Sequence, residues 1–193
     1  MAEKGGDGLS PSREEALALM SRYIQNDRMR GHSLATEAVM RALALRFGEN
    51  PGRWGVAGLL HDLDLEMVGG DLTRHALETE RILQEEGYDA EMVEAIKRHN
   101  DMLGFVRETT FQHALAAGET ITGLITATAM VYPDKKLASV KAKSVVKRMK
   151  EKAFAASVNR DTILECEKIG IPIAEFAEIC LGAMQGISGD LGL

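Results

Sequence analysis

Four of the five histidines in this chain fall where a helix would turn them inward. On the helical period, residues three, four and seven apart share a face. His32 aligns with Ala35, Val39 and Leu43, and His61 with Trp54, Ala57 and Gly58. His75 aligns with Leu72, Thr79 and Ile82, and His99 with Met92, Ala95 and Ile96. His113 sits opposite in azimuth on its own segment and reads as structural. A lone inward histidine is most often a hydrogen-bonded core residue. Four from consecutive segments, with Asp62 directly after His61, point instead to a shared cation. A buried carboxylate is costly unless paired or metal-bound, and neutral imidazole and carboxylate both donate lone pairs to a metal. Glu119 shares the apolar stripe of Phe111 and Leu115 and is the added acid; the same periodicity equally allows a surface glutamate at the face boundary.

Other chemistries lack their residues. The chain has no HExxH pair for a zinc protease and no CxxC for a zinc ribbon or deaminase site. Gly118 and Gly123 have the glycine spacing of a P-loop, but Leu124 stands where lysine is required. Neither a GxSxG elbow nor a GxGxxG turn is present.

The elements that must position these side chains read as helices. Aromatics are only 5% of the 193 residues, while Ala, Leu, Met, Glu and Lys abound, which favours helix over sheet. Helices are expected from Ser12 onward, from about His32 to Phe47, from near Arg53 to the His61-Asp62 pair, and from an Asp71 or Thr73 cap through Glu86. Others are expected from Asp89 to near His99, from Thr109 or Thr110 to Met130, over Asp161 to Lys168, and over Ile173 to Met184. Gly55 and Gly58 cost the third helix roughly 1 kcal/mol each against Ala, a cost that close backbone packing would offset. No period-two alternation and no repeat is visible, so the fold class is all-α. One helical domain over 13–193 is expected, its core about 20–132 and its basic and C-terminal helices 134–193, behind a flexible tail 1–12.

Net charge is −6, yet the nine basic residues and single acid between Lys135 and Arg160 give that stretch +8 and leave −14 elsewhere. Such a segment can meet an anionic ligand or be a solvated face. The overall acidity and lack of interleaved aromatics argue against a dedicated nucleic-acid binder. The longest apolar run, near Leu124 to Val131, is too short for a membrane span of ~20 residues. Cys166 and Cys180 make no disulfide framework, which suits a reducing cytoplasm.

The order His32, Leu59-Leu60-His61-Asp62, His75, His99 and a late acid resembles the HD-domain superfamily of metal-dependent phosphohydrolases. Leu60 to Glu66, Thr122 to Ala127, Lys150 to Val158 and Arg160 look like a group of small HD-domain hydrolases. There the acid before the Thr-Gly step is usually Asp, where this chain has Glu119. The resemblance implies a helical bundle with a metal centre between helices. His32, His61, Asp62 and Glu119 would hold a first divalent cation, with His75 and His99 matching the positions for a second, or else contacting substrate or supporting the ligands from behind. Mn, Fe, Co, Ni or Zn suits this nitrogen and oxygen set. Asp62 is then the residue that binds the cation and orients water. Asp64 and Glu66 are candidate proton-transfer or ligand-orienting acids, although solvation or helix capping explains either alone. Lys141, Lys147, Arg148 and Arg160 are candidate phosphate contacts. The implied activity is hydrolysis of a phosphate monoester or diester on a nucleotide-like small molecule. An HD-fold di-iron oxygenase and a non-catalytic ligand-binding or regulatory module are the alternatives, and oligomeric state is left open.

Overall fold

Side-chain oxygens set most of the helix starts in this chain, by taking backbone N–H groups that the first turn leaves free. A computed structural model describes residues 11–193, so all of the expected tail 1–12 except Pro11 and Ser12 lies outside the described residues. Helix α1 (Arg13–Tyr23) opens on a reciprocal capping box between Ser12 and Glu15. Asn26 starts α2 (Asp27–Phe47), and Asn50 with Pro51 starts α3 (Pro51–Leu60). After a run of turns come α4 (Leu77–Glu85), α5 (Ala90–Lys97), capped by Asp89, and the long α6 (Thr110–Met130), with its Thr109–Gln112 capping box. α7 (Ala142–Met149), α8 (Arg160–Ile163), α9 (Ile173–Gly186) and α10 (Ser188–Leu191) complete the chain. The described residues contain helices and no strand. The fold is all-α.

Two boundaries correct the sequence reading. α2 begins at Asp27, because the Asn26 side chain accepts from the Arg28 and Met29 amides, so His32 sits in the second turn and not at the start. α3 stops at Leu60 and α4 begins only at Leu77, which leaves His75 on the intervening turns. Its expected helical face therefore does not exist, and Leu72, placed there by periodicity, is largely exposed.

Glycines decide how closely the central helices meet. A Cβ on Gly58 would lie 2.7 Å from the Thr36 carbonyl oxygen, so α3 and α2 touch backbone to backbone there. The space that glycine leaves open in α3 is thus occupied by another main chain. Further along α2, a Cβ on Gly118 of α6 would lie 3.1 Å from Val39 Cγ1. One apolar core runs from Ala16 in α1 to Met184 in α9. The Trp54 ring stacks on Phe111 at 4.8 Å, and Arg53 grips Asp89 with two bonds of 2.7 and 2.8 Å, tying α3 to α6 and to the start of α5. Among the described residues, no helix is long and apolar enough to cross a membrane.

Candidate metal centre

The contact at Gly58 brings the first turns of α2 against the end of α3, and α5 and α6 close the other sides. His61 and His99 each follow the end of a helix, where the last carbonyls have no intrahelical donor. His61 Nδ1 donates to the Gly58 carbonyl at 2.8 Å, and His99 Nδ1 to the Ile96 carbonyl at 2.5 Å. His75 Nδ1 donates to Asp64 Oδ1 at 2.7 Å. The Thr122 hydroxyl gives its proton to the Glu119 carbonyl at 2.7 Å, so its oxygen accepts from His32 Nδ1 at 3.0 Å. Four different acceptors thus fix one tautomer, assigned from the bonding network, in which every Nε2 presents a lone pair.

Those Nε2 atoms face one another. His32 and His61 approach to 3.1 Å, and His75 and His99 to 3.0 Å. Asp62 lies between the pairs. Its Oδ1 is 3.4, 3.2 and 3.5 Å from the Nε2 atoms of His61, His75 and His99, and its Oδ2 is 3.6 Å from that of His32. Two sets of donors result, His32-His61-Asp62 and Asp62-His75-His99, each with its atoms within 4.8 Å of one another. Facing lone pairs at this separation repel unless a proton or a cation lies between them. The donor set therefore fits one or two divalent metal ions.

Electrostatics sharpen that fit. Burial pushes the His61 imidazole down to about 3 and also lowers that of His32, which keeps both neutral and able to bind metal. Burial alone would raise the Asp62 carboxyl, but the surrounding imidazoles, His61 foremost, hold it well below the usual carboxylate range. At His75 burial opposes protonation, yet Asp62 and Asp64 outweigh it and lift the imidazole to about 9. Without a cation, a proton takes that place.

The remaining candidate residues separate clearly. Glu119 comes near His32, with Oε2 3.8 Å from Nε2, and burial pushes its carboxyl up to about 8. It stands beside the first donor set and outside its tight cluster. Asp64 touches no Nε2; one oxygen holds His75, and the other accepts the Glu78 and Thr79 amides at 3.1 Å each. Glu66 faces away and takes the Gln25 and Asn26 amides at 3.1 and 2.9 Å, joining the turns after α3 to the start of α2. That bonding to main-chain amides just before α2 matches the capping alternative for Glu66 and places its carboxylate on those amides. The four basic candidates line neither cavity at the centre. Lys141 and Lys147 are exposed on or beside α7, Arg148 pairs with Glu151 and lies over Phe154, and Arg160 donates to the carbonyls of Phe154, Ala155 and Val158. Arg160 thus shapes a loop whose Ser157, Val158 and Asn159 wall a cavity of about 450 Å³ over the centre.

Several participants escaped the sequence reading. Thr122 orients His32, and its signal was available: it stands three residues after Glu119, on the same helix. Asn100 ties the carbonyls of Leu72 and His75 to the segment after α5, with bonds of 2.7 and 2.9 Å. Buried Arg107 donates to the carbonyls of Arg98 and His99, at 2.8 Å each, and pairs with Asp101 on the cavity wall. No local spacing announces these two contacts.

The all-helical chain thus gathers four imidazoles and a carboxylate into one cluster beside a cavity, a donor set that could hold a metal ion. The HD domain family model matches residues 29–123, a span holding every one of those five ligand candidates and consistent with membership of the HD-domain superfamily. No curated protein and no solved structure matches it.

Proposed function

We propose that this protein is a metal-dependent phosphohydrolase acting on a small phosphorylated molecule. One observation carries the reading: two donor sets share Asp62 and open together onto a cavity of about 450 Å³. Such a shared pair suits in-line displacement at phosphorus, where the attacking and leaving oxygens both need charge stabilisation. When bound, the cations supply Lewis acidity toward water and the phosphoryl oxygens. His32, His61 and Asp62 would hold the first, with Glu119 as the adjoining acid, and Asp62, His75 and His99 would hold the second. Asp64 keeps His75 aimed, and Thr122 does the same for His32. Burial pushes the Glu119 carboxyl up to about 8, and a cation held beside it would favour its carboxylate form.

The test is elemental analysis of the purified protein, followed by a screen of phosphorylated metabolites with Mn, Fe, Co, Ni and Zn in turn. His61→Ala and Asp62→Ala are each expected to lose metal and phosphatase activity together while circular dichroism keeps its helical signal. Wild-type activity in either variant would remove the assignment. Oxygen uptake by iron-loaded protein, with no phosphate released, would replace it with the oxygenase reading.

A further inference from the structure

The centre borders a second and larger space, of about 830 Å³. His32, Asp62, Leu65 and Gly123 line both cavities, so the two meet at the proposed ligands. Its apolar wall is aliphatic and thioether, built from Met29, Ala35, Ala127, Met130, Leu191 and Leu193, while Asn26, Asp27, Arg28 and Thr126 add polar groups to the rest of the lining. Apart from His32, none of its described lining residues offers an aromatic face, and nucleobases are held by stacking and by hydrogen bonds at their edges. Arg28, in the first turn of α2, is the only Lys or Arg among the described residues lining either cavity, and its guanidinium has no carboxylate partner among them.

We infer that the organic half of the substrate is an aliphatic chain: an alkyl phosphate ester whose phosphoryl group sits on the centre, whose hydrocarbon enters the second chamber, and whose charge meets Arg28. This rests on the phosphohydrolase reading and replaces the nucleotide-like substrate implied by the family resemblance with an apolar one. A methylene moved from water into such a chamber tightens binding by about three- to fourfold. The mixture of Met, Leu and Ala sets few directional demands, as an extended alkyl chain requires.

The experiment titrates the metal-loaded protein with alkylphosphonates from methyl to hexyl by calorimetry. In parallel it measures hydrolysis of the matching alkyl phosphates and of nucleoside monophosphates. Dissociation constants and KM are expected to fall about three- to fourfold per methylene over the first several carbons. Ala127→Trp, which fills a half-buried position of the chamber, is expected to abolish that chain-length dependence. Met130→Glu at the exposed rim is expected to weaken hexylphosphonate far more than methylphosphonate, and Arg28→Gln to weaken the whole series alike. Affinity that is flat with chain length, or preferred turnover of nucleotides, would overturn the inference and leave the phosphohydrolase reading standing. Failure to bind any phosphonate or cleave any phosphate ester would overturn both.

Discussion

Asp62 lies among four imidazole nitrogens, while Asp64, two residues later, touches only one histidine and from the opposite side. The two acids of the LeuHisAspLeuAsp run therefore have separable duties. Asp64→Asn keeps the volume and removes the charge behind His75; metal affinity is expected to fall about 10- to 100-fold, as for other residues that orient a ligand. A competition titration with a chelating dye measures it, and an unchanged constant would make the His75 contact incidental. The protonation of the centre predicts a pH effect of definite sign. In metal-free protein, His75 is lifted from its ordinary 6.5 to about 9, so its contribution to stability is complete below about 6.5 and is lost as pH rises through 9. Glu119, pushed by burial from 4.5 to about 8, acts in the same direction and loses its contribution as pH passes 8. The unfolding midpoint of chelated protein is thus expected to drop between pH 7 and 9, while that of metal-loaded protein holds over the same interval. Parallel curves would count against cation and proton competing for one place.

Helix α3 shows how an element can be read from sequence and still mislead about its surroundings. Its two glycines signalled close packing, and the backbone of Thr36 lies where a Gly58 side chain would stand. Gly58→Ala is expected to force α3 off α2 at a cost of about 1–3 kcal/mol, as overpacking does, and to lower metal content by separating His32 from His61. Denaturant melts and metal analysis together check this, and a stable variant with full metal would argue that the contact has slack. The all-helical class, the inward turn of His32, His61 and His99, and the Asp89 and Thr109 caps were legible because each depends on residues within a turn or two. The path from His61 to Ala76 was not. Its turns bond to their own main chain, and α4 is started by Asp64, more than ten residues upstream, in place of the local Asp71 or Thr73. Likewise, a carbonyl that aims an imidazole, such as that of Gly58 or Ile96, carries no mark in the residue type.

Across the whole molecule, charge is arranged less simply than the basic run suggested. Net charge is −6, and the cavity over the centre is lined by Asp62, Asp101 and Glu119 with no Lys or Arg among its described residues. The field at the site thus favours cations first, with anionic substrate attracted only after metal has entered. Replacing Lys141 and Lys147 by Gln is expected to leave KM for a phosphorylated substrate unchanged at moderate ionic strength. A several-fold rise would return those lysines to the binding path. Glu119 belongs to this larger balance too: sequence could place it on the stripe of α6, but only the folded chain shows its partly buried carboxyl turned onto the cavity wall. The division of Asp64 between His75 on one oxygen and the Glu78 and Thr79 amides on the other links two events that are usually independent. Fraying of the first turn of α4 would leave the imidazole unsupported, and departure of the ion would in turn loosen that turn. Hydrogen exchange at the two amides is then a gauge of occupancy, slow when the centre is filled and faster once it has been stripped.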